Sequence, residues 1–102
     1  MPQYLYKIQP TRTDMLAQGP SASESDVIKS HFDYLKQLTD QGTVLMAGRT
    51  LNTDASAFGI VVFQTDSDAQ AQAICAADPA VQRGVMRAEL FPYRVALWSK
   101  AA

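Results

Sequence analysis

Apolar and polar residues alternate along this chain with two different periods. Alternation with a period of two, rich in aromatic and β-branched residues, is typical of strands, and apolar positions three and four apart are typical of helices. Together they predict the order strand, helix, strand, strand, helix, strand. The predicted strands cover residues 4–8, 44–47, 58–63 and 86–98, with Pro92 interrupting the last at an edge or bulge.

Local signals mark where each predicted helix begins and ends. Ser21 and Glu24 have the spacing of a capping box, and Gly42 supplies the left-handed residue that closes many helices. Residues 11–20 predict a loop that lies over part of the core between the first strand and the first helix. The second helix follows the polar segment 65–68 and runs to about Ala77. Asp78 then caps a short turn from Pro79 to Arg83, which Gly84 closes.

This order of elements is that of a ferredoxin-like α+β fold, in which two helices cover one face of an antiparallel sheet and the first and third strands are central. The third strand is apolar on both faces, with Phe58, Ile60 and Val62 on one side and Val61 and Phe63 on the other. Two helices cover only one of these faces, so we expect a second copy to cover the other. The result is a homodimer of the dimeric α+β barrel type.

Composition narrows the class of protein. The 102 residues fit one domain spanning 1–102; 47% are hydrophobic, and the net charge is −1. The basic residues are scattered, which argues against nucleic acid as a partner, and no apolar run has membrane-spanning length. We therefore expect a cytoplasmic protein. One cysteine and one histidine cannot build a zinc or iron site, so no metal is expected, and Cys75 is typical of a small core residue.

The single histidine, His31, is the first candidate for chemistry. Helical spacing places it on an apolar stripe that is expected to face the core, with Val27, Ile28, Phe32, Leu35 and Leu38. An imidazole against an apolar wall is either a general acid or base tuned by its surroundings, or a packed side chain with one hydrogen bond. Spacing alone favours the packed side chain. Asp33 and Tyr34, next to it in sequence, are expected at the surface or in a dimer contact.

Short motifs in a fixed order make the chain resemble the YCII-related (YciI-like) family over nearly its whole length. They are His31-Phe32-Asp33-Tyr34-Leu35, Gly42, Ala47-Gly48-Arg49, Ala77-Asp78-Pro79, Val81, Gly84-Val85 and Pro92-Tyr93. The resemblance implies a dimeric ferredoxin-like fold and an active site built from His31 and Asp78. A carboxylate that accepts from one imidazole nitrogen fixes the tautomer and leaves the other nitrogen for chemistry. Asp78 has an ordinary alternative role as a helix cap.

Other candidate residues have weaker signals. Arg49 is a candidate anchor for a substrate carboxylate or phenolate, although an arginine at a strand end is commonly a solvated charge. Gly48 is expected to allow close approach to the backbone. Tyr4, Tyr6, Tyr93 and Trp98 either line a pocket or, as alternation along strands favours, pack in the sheet core.

The sequence favours an enzyme without a cofactor that moves a proton on a small cyclic or anionic molecule, by isomerisation, elimination or dehydrohalogenation. A His-Asp pair with no nucleophile or metal beside it suits such proton transfer more than acyl transfer. Two alternatives stay open. One is a non-catalytic homodimer that binds a small molecule or acts as an accessory protein, and the other is a cofactor-independent oxygenase of the same barrel architecture.

Overall fold

A computed structural model describes residues 1–100, which form four strands, two long helices and two helical turns. No helix within these residues is long and apolar enough to cross a membrane. The elements are β1 (Gln3–Pro10), α1 (Met15–Gln18), α2 (Ala22–Asp40), β2 (Val44–Arg49), β3 (Gly59–Gln64), α3 (Asp68–Ala77), α4 (Pro79–Gln82) and β4 (Met86–Tyr93).

The four strands form one sheet in the order β2-β3-β1-β4, and every neighbouring pair is antiparallel. The predicted ferredoxin-like fold is therefore confirmed, with β1 and β3 in the centre. Tyr6 and Phe63 of these strands pack with Leu35 of α2 and with Ala71 and Cys75 of α3 in one core cluster. Both long helices thus cover the same face of the sheet.

The predicted helix caps are present. The Ser21 hydroxyl accepts a hydrogen bond from the Glu24 amide, and the Glu24 carboxylate accepts one from the Ser21 amide, which completes the capping box. Asp78 caps α4 by accepting from the Ala80 amide, with Pro79 in the first turn. Gly42 takes a left-handed conformation, with φ of 80°, as a helix-closing residue should.

The sheet face away from the helices carries a second set of apolar side chains. By strand register, Leu5 lies between Val62 and Phe91, and Val62 pairs with Met46. Met46 and Phe91 are 40% and 44% exposed, respectively. We call this set, Leu5, Met46, Ile60, Val62 and Phe91, the outer face. The third strand is therefore apolar on both sides, as predicted.

Four local predictions were wrong. The segment 11–20 contains the helical turn α1, and β4 ends at Tyr93, well before Trp98. Phe32 is 64% exposed, because at 100° per residue it falls at the margin of the buried stripe of α2. Tyr34 is half-buried and its hydroxyl donates to the Ile74 carbonyl, since three residues after His31 it lies on the same helix face.

Gly59 allows the central strands to pack closely. A Cβ there would lie 3.1 Å from Ile8 Cγ1 and 3.2 Å from the Gly48 carbonyl oxygen, whereas a Cβ at Gly48 would meet nothing within 4 Å. We expect Gly59→Ala to lower the free energy of unfolding by about 1–3 kcal/mol, the usual cost of overpacking. Gly48→Ala, the matched control, should change it by less than about 0.5 kcal/mol. Urea denaturation measures both, and equal effects would contradict the steric explanation.

Candidate functional site

His31 and Asp78 lie in direct contact although 47 residues separate them in sequence. His31 Nδ1 is 2.7 Å from Asp78 Oδ1 and 2.8 Å from Oδ2. The histidine comes from the middle of α2, and the aspartate stands at the junction of α3 and α4. The cap that starts α4 therefore also faces the inner side of α2.

Asp78 is completely buried, yet each of its oxygens has hydrogen-bond donors. Oδ1 accepts from the Ala80 amide at 3.0 Å, Oδ2 accepts from the Tyr6 hydroxyl at 2.7 Å, and both face His31 Nδ1. Three donors around one carboxyl group match a carboxylate, which only accepts hydrogen bonds. We therefore place the imidazole proton on Nδ1, where it bonds to the carboxylate.

The negative charge of Asp78 acts on the side chains around it. Burial first and the Asp78 charge second raise the pKa of Tyr34 to about 12 and that of the Cys75 thiol to about 11. The same two causes raise the pKa of Tyr6 far above its usual value. These groups stay protonated at neutral pH, so Cys75 is not an activated thiol.

His31 forms part of the wall of a pocket of about 240 Å³. Its side chain is 12% exposed. Nδ1 faces the buried carboxylate, so Nε2 is the nitrogen left to face the pocket, and no group among residues 1–100 hydrogen-bonds to it. In this tautomer Nε2 carries a lone pair and can accept a proton.

The pocket wall is mostly apolar and comes from both layers of the fold. Ile28 and Leu35 belong to α2, Ile8 and Val61 belong to the central strands, and Met15 comes from α1. Such a wall favours an apolar ligand body and strengthens the few polar contacts inside it.

Arg49 and Gly48 line the same pocket, at the end of edge strand β2. Arg49 is exposed, and no carboxylate among the described residues lies within ion-pair distance of its guanidinium. Its charge is thus available to an anion. Gly48 borders the pocket with backbone alone. His31, Gly48 and Arg49 therefore line one pocket, and Asp78 is linked to it through His31.

A salt bridge holds in place the segment that carries α1, whose Met15 lines the pocket. Arg12 Nη2 lies 2.6 Å from Glu24 Oε1 and also donates to the Gly19 carbonyl, which ties the segment that carries α1 to the start of α2. The guanidinium and the Ser21 amide hold the pKa of Glu24 at about 2. Sequence reasoning assigned Glu24 only to the helix cap, because nothing local reports its contact with Arg12.

The predicted aromatic candidates lie elsewhere. Tyr4 and Tyr6 are buried in the core, as alternation favoured, while Tyr93 and Trp98 are 46% and 61% exposed. None of these four side chains lines the pocket beside His31. Residues 1–100 contain no group of three or more His, Cys, Asp or Glu side chains arranged to hold a metal ion.

Replacing Asp78 with Asn tests which imidazole nitrogen carries the proton. Asn caps helices well, but its NH₂ group meets donors where Asp78 accepts. We expect unfolding free energy to fall by about 1–3 kcal/mol, and part of the His31 population to move its proton to Nε2. Nitrogen-15 shifts of the single imidazole measure the tautomers. An unchanged imidazole spectrum in folded Asp78→Asn would contradict the assigned Nδ1–H bond.

Comparison with known proteins agrees with the fold and the motifs. Among proteins of curated function, none matches this chain significantly. One solved structure that it resembles is 5-chloro-2-hydroxyhydroquinone dehydrochlorinase (TftG) from Burkholderia phenoliruptrix AC1100, in complex with 2,5-dihydroxybenzoquinone. The TM-score is 0.67 at 15% sequence identity, and the match covers 90% of this chain and 93% of that one. A family model for the YCII-related domain matches residues 4–94, and the chain therefore belongs to the YCII-related domain family.

Proposed function

We propose that this chain is an acid–base enzyme that moves a proton on a small cyclic or anionic molecule, with His31 Nε2 as the proton acceptor. The observation that carries the proposal is the contact of His31 Nδ1 with the buried Asp78 carboxylate, at the wall of a pocket. Asp78 holds the imidazole in one tautomer and stabilises the imidazolium that forms when Nε2 takes a proton. The reaction needs no cofactor.

Pocket size and charge support a small anionic substrate. An apolar cavity of about 150 Å³ is large enough for benzene, so about 240 Å³ suits one ring with several substituents. The guanidinium of Arg49 would bind a carboxylate or phenolate of that ring. Gly48 would let the ligand lie against the backbone of β2.

Elimination is one reaction that this arrangement would perform. His31 Nε2 takes a proton from the substrate, the electrons of the broken bond form a new double bond, and a leaving group such as halide departs with its own bonding pair. The products are the unsaturated molecule, a halide ion and a proton on the imidazole. The structural neighbour TftG is named as a dehydrochlorinase, which agrees with this class of reaction. Isomerisation would use the same proton transfer with return of the proton to another atom.

A second candidate function is a non-catalytic protein that binds a small molecule. The observation that favours it is that Asp78 caps α4 and accepts a hydrogen bond from Tyr6. Both contacts stabilise the fold whether or not the protein is an enzyme. In that case His31 only packs the pocket wall, and its replacement would change stability and binding but no reaction rate.

Proton exchange separates the two candidates. The test uses a panel of single-ring hydroxylated and halogenated acids in deuterium oxide. We expect the wild-type chain to catalyse exchange of their hydrogen for deuterium or release of halide, and NMR spectra of the compounds measure both. His31→Gln keeps a donor toward Asp78 and should lower the rate by about 10²–10⁴-fold, the usual contribution of a general base. Arg49→Leu should weaken binding of the same compounds. Turnover that survives in His31→Gln would exclude His31 as the base.

We further propose that a second copy of the chain covers the outer face. Met46 and Phe91 are exposed on this face beside the half-buried Leu5, and exposed apolar side chains of this kind favour association. Sedimentation velocity at micromolar concentration should show a homodimer. Phe91→Lys should shift it toward monomer, while Leu51→Lys, 83% exposed and outside this face, should not. A wild-type monomer would contradict the proposal.

A further inference from the structure

The hydroxyl of Tyr6 needs a hydrogen-bond partner because it is buried, and that partner is the Asp78 carboxylate. Tyr6 lies on central strand β1, and its ring packs edge-on against Phe63, with centroids 5.8 Å apart and planes at 69°. Its hydroxyl donates to Asp78 Oδ2 at 2.7 Å, and the residue is 0% exposed. Because packing fixes the ring, the hydroxyl is held at this oxygen.

The contact reaches the pocket through only two further side chains. Tyr6 donates to Asp78, Asp78 accepts from His31, and His31 borders the pocket. The donors come from β1 and α2, while the acceptor stands between α3 and α4. The orientation of the carboxylate toward His31 therefore depends on a residue that never touches the pocket.

We propose that Tyr6 is a positioning residue for His31. Its hydroxyl holds the Asp78 carboxylate directed at Nδ1, so that the imidazole proton stays on Nδ1 and the lone pair of Nε2 faces the pocket. This inference rests on the proposed role of His31 as the acid–base group.

Tyr6 matters because a second proton transfer, from Nδ1 to Asp78, becomes possible once Nε2 has accepted a proton. A buried imidazolium beside a buried carboxylate is costly, and transfer of the Nδ1 proton to the carboxylate would replace two charges by two neutral groups. A hydrogen bond donated to the carboxylate favours its charged form and opposes that transfer. Tyr6 can serve as this donor throughout, since burial and the Asp78 charge raise the pKa of its phenol far above its usual value.

Tyr34 offers a matched control. Its hydroxyl also donates at 2.7 Å and also feels the Asp78 charge, but it bonds to the carbonyl of Ile74 and not to the carboxylate. Tyr34→Phe therefore removes a similar hydrogen bond from the same region. A role in packing alone predicts similar effects of the two substitutions on His31.

Chemical modification of the imidazole measures the effect without a known substrate. The chain has one histidine, so its carbethoxylation by diethyl pyrocarbonate, which requires an unprotonated nitrogen, reports His31 alone. At neutral pH we expect Tyr6→Phe to slow the reaction roughly fivefold, the effect of one ordinary hydrogen bond. Tyr34→Phe should react at the wild-type rate. Circular dichroism checks that each variant is folded.

A second variant covers the case in which Tyr6→Phe does not fold. Site-specific replacement of Tyr6 by 3-fluorotyrosine keeps the ring and makes the phenol a stronger donor, so the reaction of His31 should become faster. A wild-type rate in folded Tyr6→Phe, equal slowing in Tyr6→Phe and Tyr34→Phe, or an unchanged rate with 3-fluorotyrosine would each overturn the inference. If the rates change as expected but no turnover is ever found, the proposed function fails and the role of Tyr6 stands.

Discussion

The buried carboxylate of Asp78 is the constraint on which the rest of the site depends. A charge without solvent requires hydrogen bonds on every side, and Asp78 obtains them from the Ala80 amide, the Tyr6 hydroxyl and His31 Nδ1. Each donor belongs to a different element. One side chain thereby fixes the start of α4, the position of α2 over the sheet and the orientation of the imidazole, so the fold and the candidate chemistry use the same three bonds.

Local signals in the sequence were sufficient for much of this arrangement. Capping by Ser21, the left-handed Gly42 and the Asp78-Pro79 start of α4 depend only on neighbours in the chain, and all three are present. The strand order followed because few topologies accommodate this sequence of elements. The contact of His31 with Asp78 came instead from the resemblance, since no local pattern reports a pair separated by 47 residues.

What the sequence did not predict depends on packing between elements. Alternation placed the ring of Tyr6 in the core but carried no information about its hydroxyl, whose partner is 72 residues away. Phe32 was assigned to the buried stripe because it is apolar, although its angle on α2 leaves it at the margin. Tyr34 was assigned to the surface or a dimer contact because residues close to His31 in sequence were expected to point elsewhere on the helix, although a separation of three residues places it on the same face. In both cases the angular position on α2 was read too coarsely from the sequence.

The salt bridge of Arg12 with Glu24 bears on how the pocket of such a protein can change during evolution. It joins the segment that supplies Met15 to the pocket wall to the start of α2, the helix that also carries His31. Loops tolerate substitution, insertion and deletion far better than packed strands and helices do. The segment between β1 and α2 could therefore change length and composition, and with them the shape of the pocket, while the contact of His31 with Asp78 stayed intact. The shape of the pocket and the geometry of the His31–Asp78 pair can in this sense evolve separately within one small domain.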